Sequence, residues 1–162
     1  MKFTLNLGSG DRTYDKYPEK GGFECINLDK RLEWSRVDIA AHVRKIPFKN
    51  ETFDYILASD IIEHFPFKYT KSLLTEWSRV LKGEGVLEIR TPNLRWVQAA
   101  YSAGQNAKFI SYHIFGGQDY PGNFHHVMFD REWLNLICNS VGMAEIDYEE
   151  HYSNFILKMG KI

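Results

Sequence analysis

Residues 5–11 read LNLGSGD, an apolar run that ends, a few residues into the chain, in Gly8, Ser9, Gly10 and the carboxylate of Asp11. A short strand that runs into Gly-x-Gly turns sharply and presents bare backbone, because glycine has no Cβ and takes positive φ at little cost. Taken alone, the pair serves a plain tight turn as readily as a ligand. The next apolar run, FECINLD, ends in Asp29, 21 residues beyond Gly8. In an open α/β fold, an acid about 20 residues past the glycine turn accepts the ribose hydroxyls of a bound nucleoside. Together the two stretches favour the ligand.

Further along, apolar strand-like runs recur at Phe3–Leu7, Phe23–Leu28, Phe53–Ser59, Gly85–Arg90, Ala144–Tyr148 and Asn154–Met159. A helix is expected over Tyr69–Lys82, where Leu73, Leu74, Trp77, Val80 and Leu81 form one apolar stripe and Lys82-Gly83 would close it. A second is expected over Asp130–Val141, with Asp130 as N-cap, Trp133, Leu134, Ile137 and Val141 on one face, and Gly142 as its stop. Such alternation reads as an α/β fold, a mostly parallel sheet with helices on both faces. The last two runs, joined by the short segment HYS, read as an antiparallel hairpin at one edge. From Pro92 to Phe129 the pattern weakens to one short helical piece and then a stretch rich in aromatics, glycine and histidine. A long irregular segment inside a compact domain is usually functional. It follows the carboxyl end of the fourth run, where open sheets bind ligands.

At 162 residues and 44% hydrophobic content, the chain suits a single domain, 1–162, with a substrate-side insertion at about 92–129. Twenty basic and twenty-one acidic side chains give a net charge of −1, with no block of like charge, which argues against nucleic acid as a partner. Cys25 and Cys138 lack CxxC spacing and read as reduced thiols in apolar surroundings. No signal peptide or membrane span is expected, so the reading is soluble and cytoplasmic. Trp34, Trp96, Trp133 and most of the Phe and Tyr residues read as core, while Tyr112, Phe115, Tyr120 and Phe124 crowd the weakly patterned segment and would suit a pocket wall.

The ligand can be narrowed further. A dinucleotide site would want G-x-G-x-x-G, yet Thr13 stands at the third glycine position and Asp11 directly follows Gly10. A carboxylate ~4 Å from a phosphate costs on the order of 1 to 4 kcal/mol. An atypical NAD-binding Rossmann protein is therefore the runner-up. A nucleoside with a cationic sulfonium and an amino acid tail meets no such repulsion, which describes S-adenosylmethionine. Four segments, LNLGSGD, GGFECINLD, VRKIPFKNETFDYILASDIIEHF and LLTEWSRVLKGEGVLEIRTPN, resemble in order and spacing the class I S-adenosylmethionine-dependent methyltransferases, in particular the small UbiE-like group. They cover roughly residues 3 to 93.

That resemblance implies a Rossmann-like sandwich and a cofactor site built from Leu7, Gly8, Ser9, Gly10, Asp29, His42, Val43 and Ser59. Gly8 and Gly10 would line the methionine end, Asp29 would hold the ribose, and Ser59, with Asp60 beside it, would face the methionine portion. Two positions depart from the family. His42 stands where an acid usually meets the adenine amino group, so its imidazole is expected to accept that hydrogen bond, with the backbone of Val43 beside the adenine. Asn6 stands where many relatives carry an acid in the first strand. The chain starts at its first strand, so enclosure of the substrate is expected from Pro92–Phe129 or from a second subunit of a homodimer. A cofactor-binding protein without catalysis is the reading from another class, supported by these departures and by the lack of a decisive base.

Methyl transfer to oxygen or nitrogen needs a lone pair freed of its proton, and histidine has a suitable pKa. The candidates are His125 and His126, with His113 nearby in the same segment, and His64 together with Asp60, which lies four residues earlier and on the same face of a helical turn. Gly122 allows a turn back toward the sheet just before His125 and His126. A metal is not expected, because adjacent histidines diverge on extended chain and no carboxylate or thiol stands at ligand spacing along the sequence.

Overall fold

β1 (Phe3–Leu7) lies inside the sheet, with β3 (Phe23–Asp29) on one side and β5 (Phe53–Ser59) on the other, both parallel to it. The chain therefore steps first one way and then the other from β1, and the reversal opens a crevice at the carboxyl ends of β1 and β5. The computed structural model describes residues 1–17, 22–33 and 36–162; Trp34 and the first glycine of GGFECINLD, Gly21, lie outside the described residues. Two-residue strands β2 (Lys16–Tyr17) and β4 (Ile39–Ala40) pair with the two ends of β3. Beyond β5 lie β6 (Leu81–Pro92), parallel to it, then β8 (Asn154–Lys161), antiparallel to β6, and β7 (Met143–His151) at the edge. The hairpin expected at residues 144–159 is present, turning at Tyr152, whose φ is +52°.

α1 (Thr70–Val80) and α4 (Arg131–Asn139) pack on one face of the sheet. Leu73, Leu74, Trp77 and Val80 of α1 and Leu134 and Cys138 of α4 close over Leu5, Leu7, Ile56, Leu87, Ile89 and Leu157 in one core. Asp130 caps α4 as expected, accepting the Trp133 N–H at 2.9 Å. The stop expected at Lys82-Gly83 is corrected. The chain leaves the helix at Leu81 and enters β6, because Leu81 pairs with Phe53, and Lys82 turns to Asp54 at 2.8 Å.

The expectation of helices on both faces is also corrected. The opposite face, with Thr4, Asn6, Tyr55 and Glu88, is covered by the segment from Arg12 to Tyr17, and no helix covers it among the described residues. Tyr17 and Tyr55 both donate to Glu88, and Thr4 donates to the Tyr17 carbonyl. The alternation that puts Leu5 and Leu7 in the core puts Thr4 and Asn6 here, so this face is held by hydrogen bonds rather than by an apolar stripe. Both cysteines are free, and burial pushes each thiol up to about 12. No helix among the described residues is long and apolar enough to cross a membrane.

The segment from Pro92 to Phe129 holds two helices rather than one. α2 (Leu94–Ser102) is capped by Asn93, whose side chain accepts from the Arg95 and Trp96 N–H groups. α3 (Ala107–Phe115) is capped by Asn106, which accepts from Phe109. They pack on each other through Trp96, Phe109 and His113, and the chain then returns over the carboxyl ends of the strands.

Candidate active site

The glycine turn is held open by its neighbours. Gly8 has φ +64° and Gly10 φ +52°. A Cβ on Gly8 would stand 2.6 Å from Ile61 Cδ1, whereas one on Gly10 would meet nothing within 4 Å. The first glycine lets the turn pack on the loop after β5, and the second leaves bare backbone facing the crevice. Asn6, buried at 3% exposure, donates from Nδ2 to the Arg12 carbonyl at 2.8 Å and to Asn27 Oδ1 at 3.1 Å, closing the turn from beneath. An ionised acid could not donate either bond, which accounts for the amide at this position.

Two adjoining cavities of about 390 Å³ and 310 Å³ meet at this turn, sharing Gly8, Gly10, Asp11, Asp60, His64 and Tyr120. The smaller is walled by Asp29, His42, Val43 and Phe65. Asp29 accepts the Gly10 N–H at 3.0 Å and the Arg31 N–H at 2.9 Å through different oxygens, which leaves lone pairs on both. Val43 is buried, and its carbonyl accepts from Trp77 Nε1 at 3.0 Å. His42 differs from expectation. Its Nδ1 already accepts the Arg44 N–H at 3.1 Å, so the neutral ring presents Nε2–H, a donor. Burial, with Arg44 and Lys30 nearby, holds it below the usual histidine range and hence neutral. It suits a ring nitrogen of a base rather than an exocyclic amine.

The larger cavity takes in Ser9, Arg12, Ser59, Glu63, Arg90, Tyr112, His113, His125 and Asn154. Three buried polar atoms on its wall have no protein partner: Ser9 Oγ, Glu63 Oε1 and Arg90 Nε. Orphaned groups of this kind cost about 1–3 kcal/mol each, so three of them on residues that line one cavity favour it as a ligand site. Tyr112, His113, Tyr120 and His125 lie over the glycine turn as expected, while Phe115 and Phe124 are exposed and outside it. Leu7 is fully buried in the core and delivers the turn without lining a cavity.

The candidate bases separate. Asp60, at φ +52°, receives Asn154 Nδ2 at 2.6 Å on one oxygen and Arg12 Nη1 at 3.0 Å and Ser59 Oγ at 3.3 Å on the other. These bonds tie the glycine turn to β8 and engage both Asp60 oxygens. His126 is corrected: it is exposed and lines neither cavity, with its N–H bonded to the Glu63 carbonyl at 2.8 Å. His125 points inward. Its Nδ1 is 2.9 Å from the His113 carbonyl, and His64 Nδ1 is 3.0 Å from the Phe124 carbonyl. Carbonyls only accept, so each ring keeps its proton on Nδ1 and a free lone pair on Nε2. The rings meet edge to face at 5.0 Å, and burial first, then mutual repulsion for His64, holds both below the usual histidine range.

Glu63 was not among the residues read from sequence. It is 1% exposed, its Oε2 accepts from Thr91 Oγ1 at 3.0 Å, and burial, with Asp60 nearby, raises its carboxyl to about 8. Its signal lay in DIIEHF, where it stands three residues from Asp60 and beside His64, positions that share a helical face. Glu63, His64 and His125 each place one ligand-type atom within 4.8 Å of the other two. Along the chain no carboxylate stood at ligand spacing from His125; in the fold one does.

A family model described as a methyltransferase domain matches residues 5–89. An uncharacterised protein of Methanocaldococcus jannaschii is 37% identical over 68 residues, which cover 42% of this chain and 29% of that protein, so the chain spans well under two thirds of that relative's length. Among solved structures, a protein of Pyrococcus horikoshii superposes with a TM-score of 0.74 at 18% identity, covering 99% of this chain and 82% of its own. A Burkholderia thailandensis 1,6-didemethyltoxoflavin-N1-methyltransferase, solved with bound 1,6-didemethyltoxoflavin and S-adenosylhomocysteine, superposes with a TM-score of 0.68 at 13% identity, covering 98% of this chain and 70% of its own.

Proposed function

Since the chain belongs to the methyltransferase-domain family and carries its class I fold, we propose that it transfers the methyl group of S-adenosylmethionine to an oxygen or nitrogen of a small molecule or glycan. The observation that carries this reading is the set of orphaned polar atoms, Ser9 Oγ and Arg90 Nε among them, around a bare glycine turn one residue cluster away from Asp29. The donor set fits the cofactor. Asp29 would accept from the ribose hydroxyls, and the Val43 and Phe65 walls with the His42 donor would enclose the adenine. Gly8, Ser9 and Gly10 would leave room for the methionine end, with Ser59 and Asp60 bounding it. When bound, S-adenosylmethionine supplies an electrophilic methyl on a sulfonium, which an acceptor lone pair attacks in line, leaving S-adenosylhomocysteine.

The chain's own residues then have three tasks. Tyr112, Tyr120 and the Gly116–Asn123 loop line the acceptor side of the cavity, where they would shield the reacting atoms from water once both ligands are bound. Arg12 and Asn154 fix the Asp60 carboxylate, so the turn keeps its shape as ligands come and go. His64 and His125, neutral with Nε2 lone pairs, stand ready to take the acceptor's proton.

Calorimetry with S-adenosylmethionine, S-adenosylhomocysteine and NAD tests the cofactor, and a screen with labelled S-adenosylmethionine against sugars, lipid-linked glycans, phenols and amines tests transfer. Tighter binding of NAD overturns the reading. Cofactor binding without turnover on any acceptor class makes the protein a silent binder instead.

A further inference from the structure

We infer that Glu63, His64 and His125 form a binding site for a divalent first-row transition cation, with its remaining coordination positions open to the larger cavity. The site is assembled from two distant parts of the chain. Glu63 and His64 lie on the 3₁₀ turn Ile62–His64 after β5, and His125 lies on the return segment after α3. One donor atom from each falls within 4.8 Å of the other two. The segments are pinned by backbone bonds, from His126 N–H to the Glu63 carbonyl at 2.8 Å and from His125 N–H to the Phe115 carbonyl at 3.1 Å.

The surroundings favour an ion over a chance meeting. A histidine that binds metal normally donates its other ring N–H to a carbonyl or carboxylate, which sets the tautomer and aims the free lone pair. Both rings do this, His64 toward the Phe124 carbonyl and His125 toward the His113 carbonyl. Thr91 does the same for the carboxylate by holding Glu63 Oε2 at 3.0 Å, while the buried Oε1 has no partner. Gly116 makes room for the second imidazole: at φ +78°, a Cβ there would stand 3.1 Å from His125 Cδ2 and 2.8 Å from the Asn123 carbonyl. Asp60, nearby, does not join the set, since its oxygens are held by Arg12, Asn154 and Ser59.

Two imidazoles and one carboxylate select zinc, cobalt, iron or manganese over magnesium or calcium, which prefer all-oxygen shells. Three protein ligands with open positions are the pattern of catalytic rather than structural metal sites. Bonds of about 2.0–2.2 Å place tetrahedral donors ~3.4 Å apart, so donor atoms within 4.8 Å of one another need to close by no more than about 1.4 Å around the ion, within reach of small side-chain rotations. A bound cation takes the Nε2 lone pairs of both imidazoles and faces the acceptor side of the cavity, so proton acceptance by His64 or His125 belongs to the metal-free protein alone. The site does not depend on the methyl-transfer reading, because the metal alone is the probe.

The test uses the whole chain, stripped with a chelator and titrated with Zn²⁺, Mn²⁺ and Mg²⁺ by calorimetry, with Co²⁺ added to a parallel sample for visible spectroscopy. One equivalent of Zn²⁺ should bind, with Mg²⁺ at least 100-fold weaker, and Co²⁺ should give the intense visible bands of a four- or five-coordinate nitrogen and oxygen site. His64→Ala and His125→Ala should each weaken Zn²⁺ by 100-fold or more, while His126→Ala leaves it unchanged. S-adenosylhomocysteine binding on the same samples separates loss of this site from failure of the cofactor reading. Only weak octahedral Co²⁺ bands in the wild-type protein, or Zn²⁺ binding that survives both histidine substitutions, would overturn the proposal even if a variant folds poorly.

Discussion

Replacing Asp29 with alanine tests the link between the glycine turn and the ligand. The carboxylate is 7% exposed and holds the Gly10 N–H at 3.0 Å and the Arg31 N–H at 2.9 Å. With S-adenosylhomocysteine bound, the same two oxygens are expected to accept at least one ribose hydroxyl. A hydrogen bond to a charged group is worth about 1.5–3 kcal/mol, so losing one weakens the ligand roughly 10- to 150-fold. The free protein is affected as well, since two backbone donors at the crevice lose a charged acceptor. Asp29→Asn separates the two effects: its amide oxygen can still serve one N–H, but its amino group faces the other and cannot accept. Calorimetry at 25 °C, with thermal melts of each variant to confirm folding, should rank affinity as wild type, then Asn, then Ala. A folded Asp29→Ala protein that binds S-adenosylhomocysteine within threefold of wild type would refute the assignment of this residue to the ribose.

Gly8→Ala should destabilise the fold more than Gly10→Ala in denaturant titrations. Both meet the ~1–2 kcal/mol cost of a left-handed residue, but only Gly8 also forces a side chain into Ile61; equal losses would contradict this packing. Arg79 donates to Glu76, to the Ile46 and Phe48 carbonyls and to Asn50, bracing the segment that delivers His42 and Val43, so Arg79→Ala should cost about 2–3 kcal/mol. The same contact gives a pH signature. Arg79 holds the Glu76 carboxyl below its usual range, so the stabilisation is present above the unfolded pKa and is lost as pH falls through the lower, folded one. Wild type should therefore lose more stability between neutral and acidic pH than Arg79→Ala, and parallel curves would exclude the coupling. His125→Ala should lower turnover on any acceptor found by about 100-fold or more while cofactor affinity holds, and His126→Ala should leave turnover unchanged; the reverse ranking would return the base to the exposed ring.

What the sequence determined by itself was whatever rests on local pattern. The core strands, the apolar stripe of α1, the Asp130 cap and the edge hairpin follow from side-chain alternation, helical spacing and capping chemistry, which act over a few residues. The pairing of Gly8–Gly10 with Asp29 was legible for a related reason: in a parallel unit, chain length from turn to second strand end is set by the fold. Where local and long-range preferences compete, the sheet decided, as when Leu81 and Lys82 left the helix to pair with β5 and Asp54. The two-residue strands β2 and β4 carry too few residues to show a period, and they exist because the open edge of β3 offers unpaired backbone groups. Only the tertiary structure could turn His125 inward and His126 outward, since adjacent residues on extended chain face opposite ways and nothing in HH says which faces the sheet. It alone brought Glu63 and His64 to His125, because that meeting depends on how α2 and α3 carry the chain back over β5, a path set by packing between elements rather than by any residue's own preference.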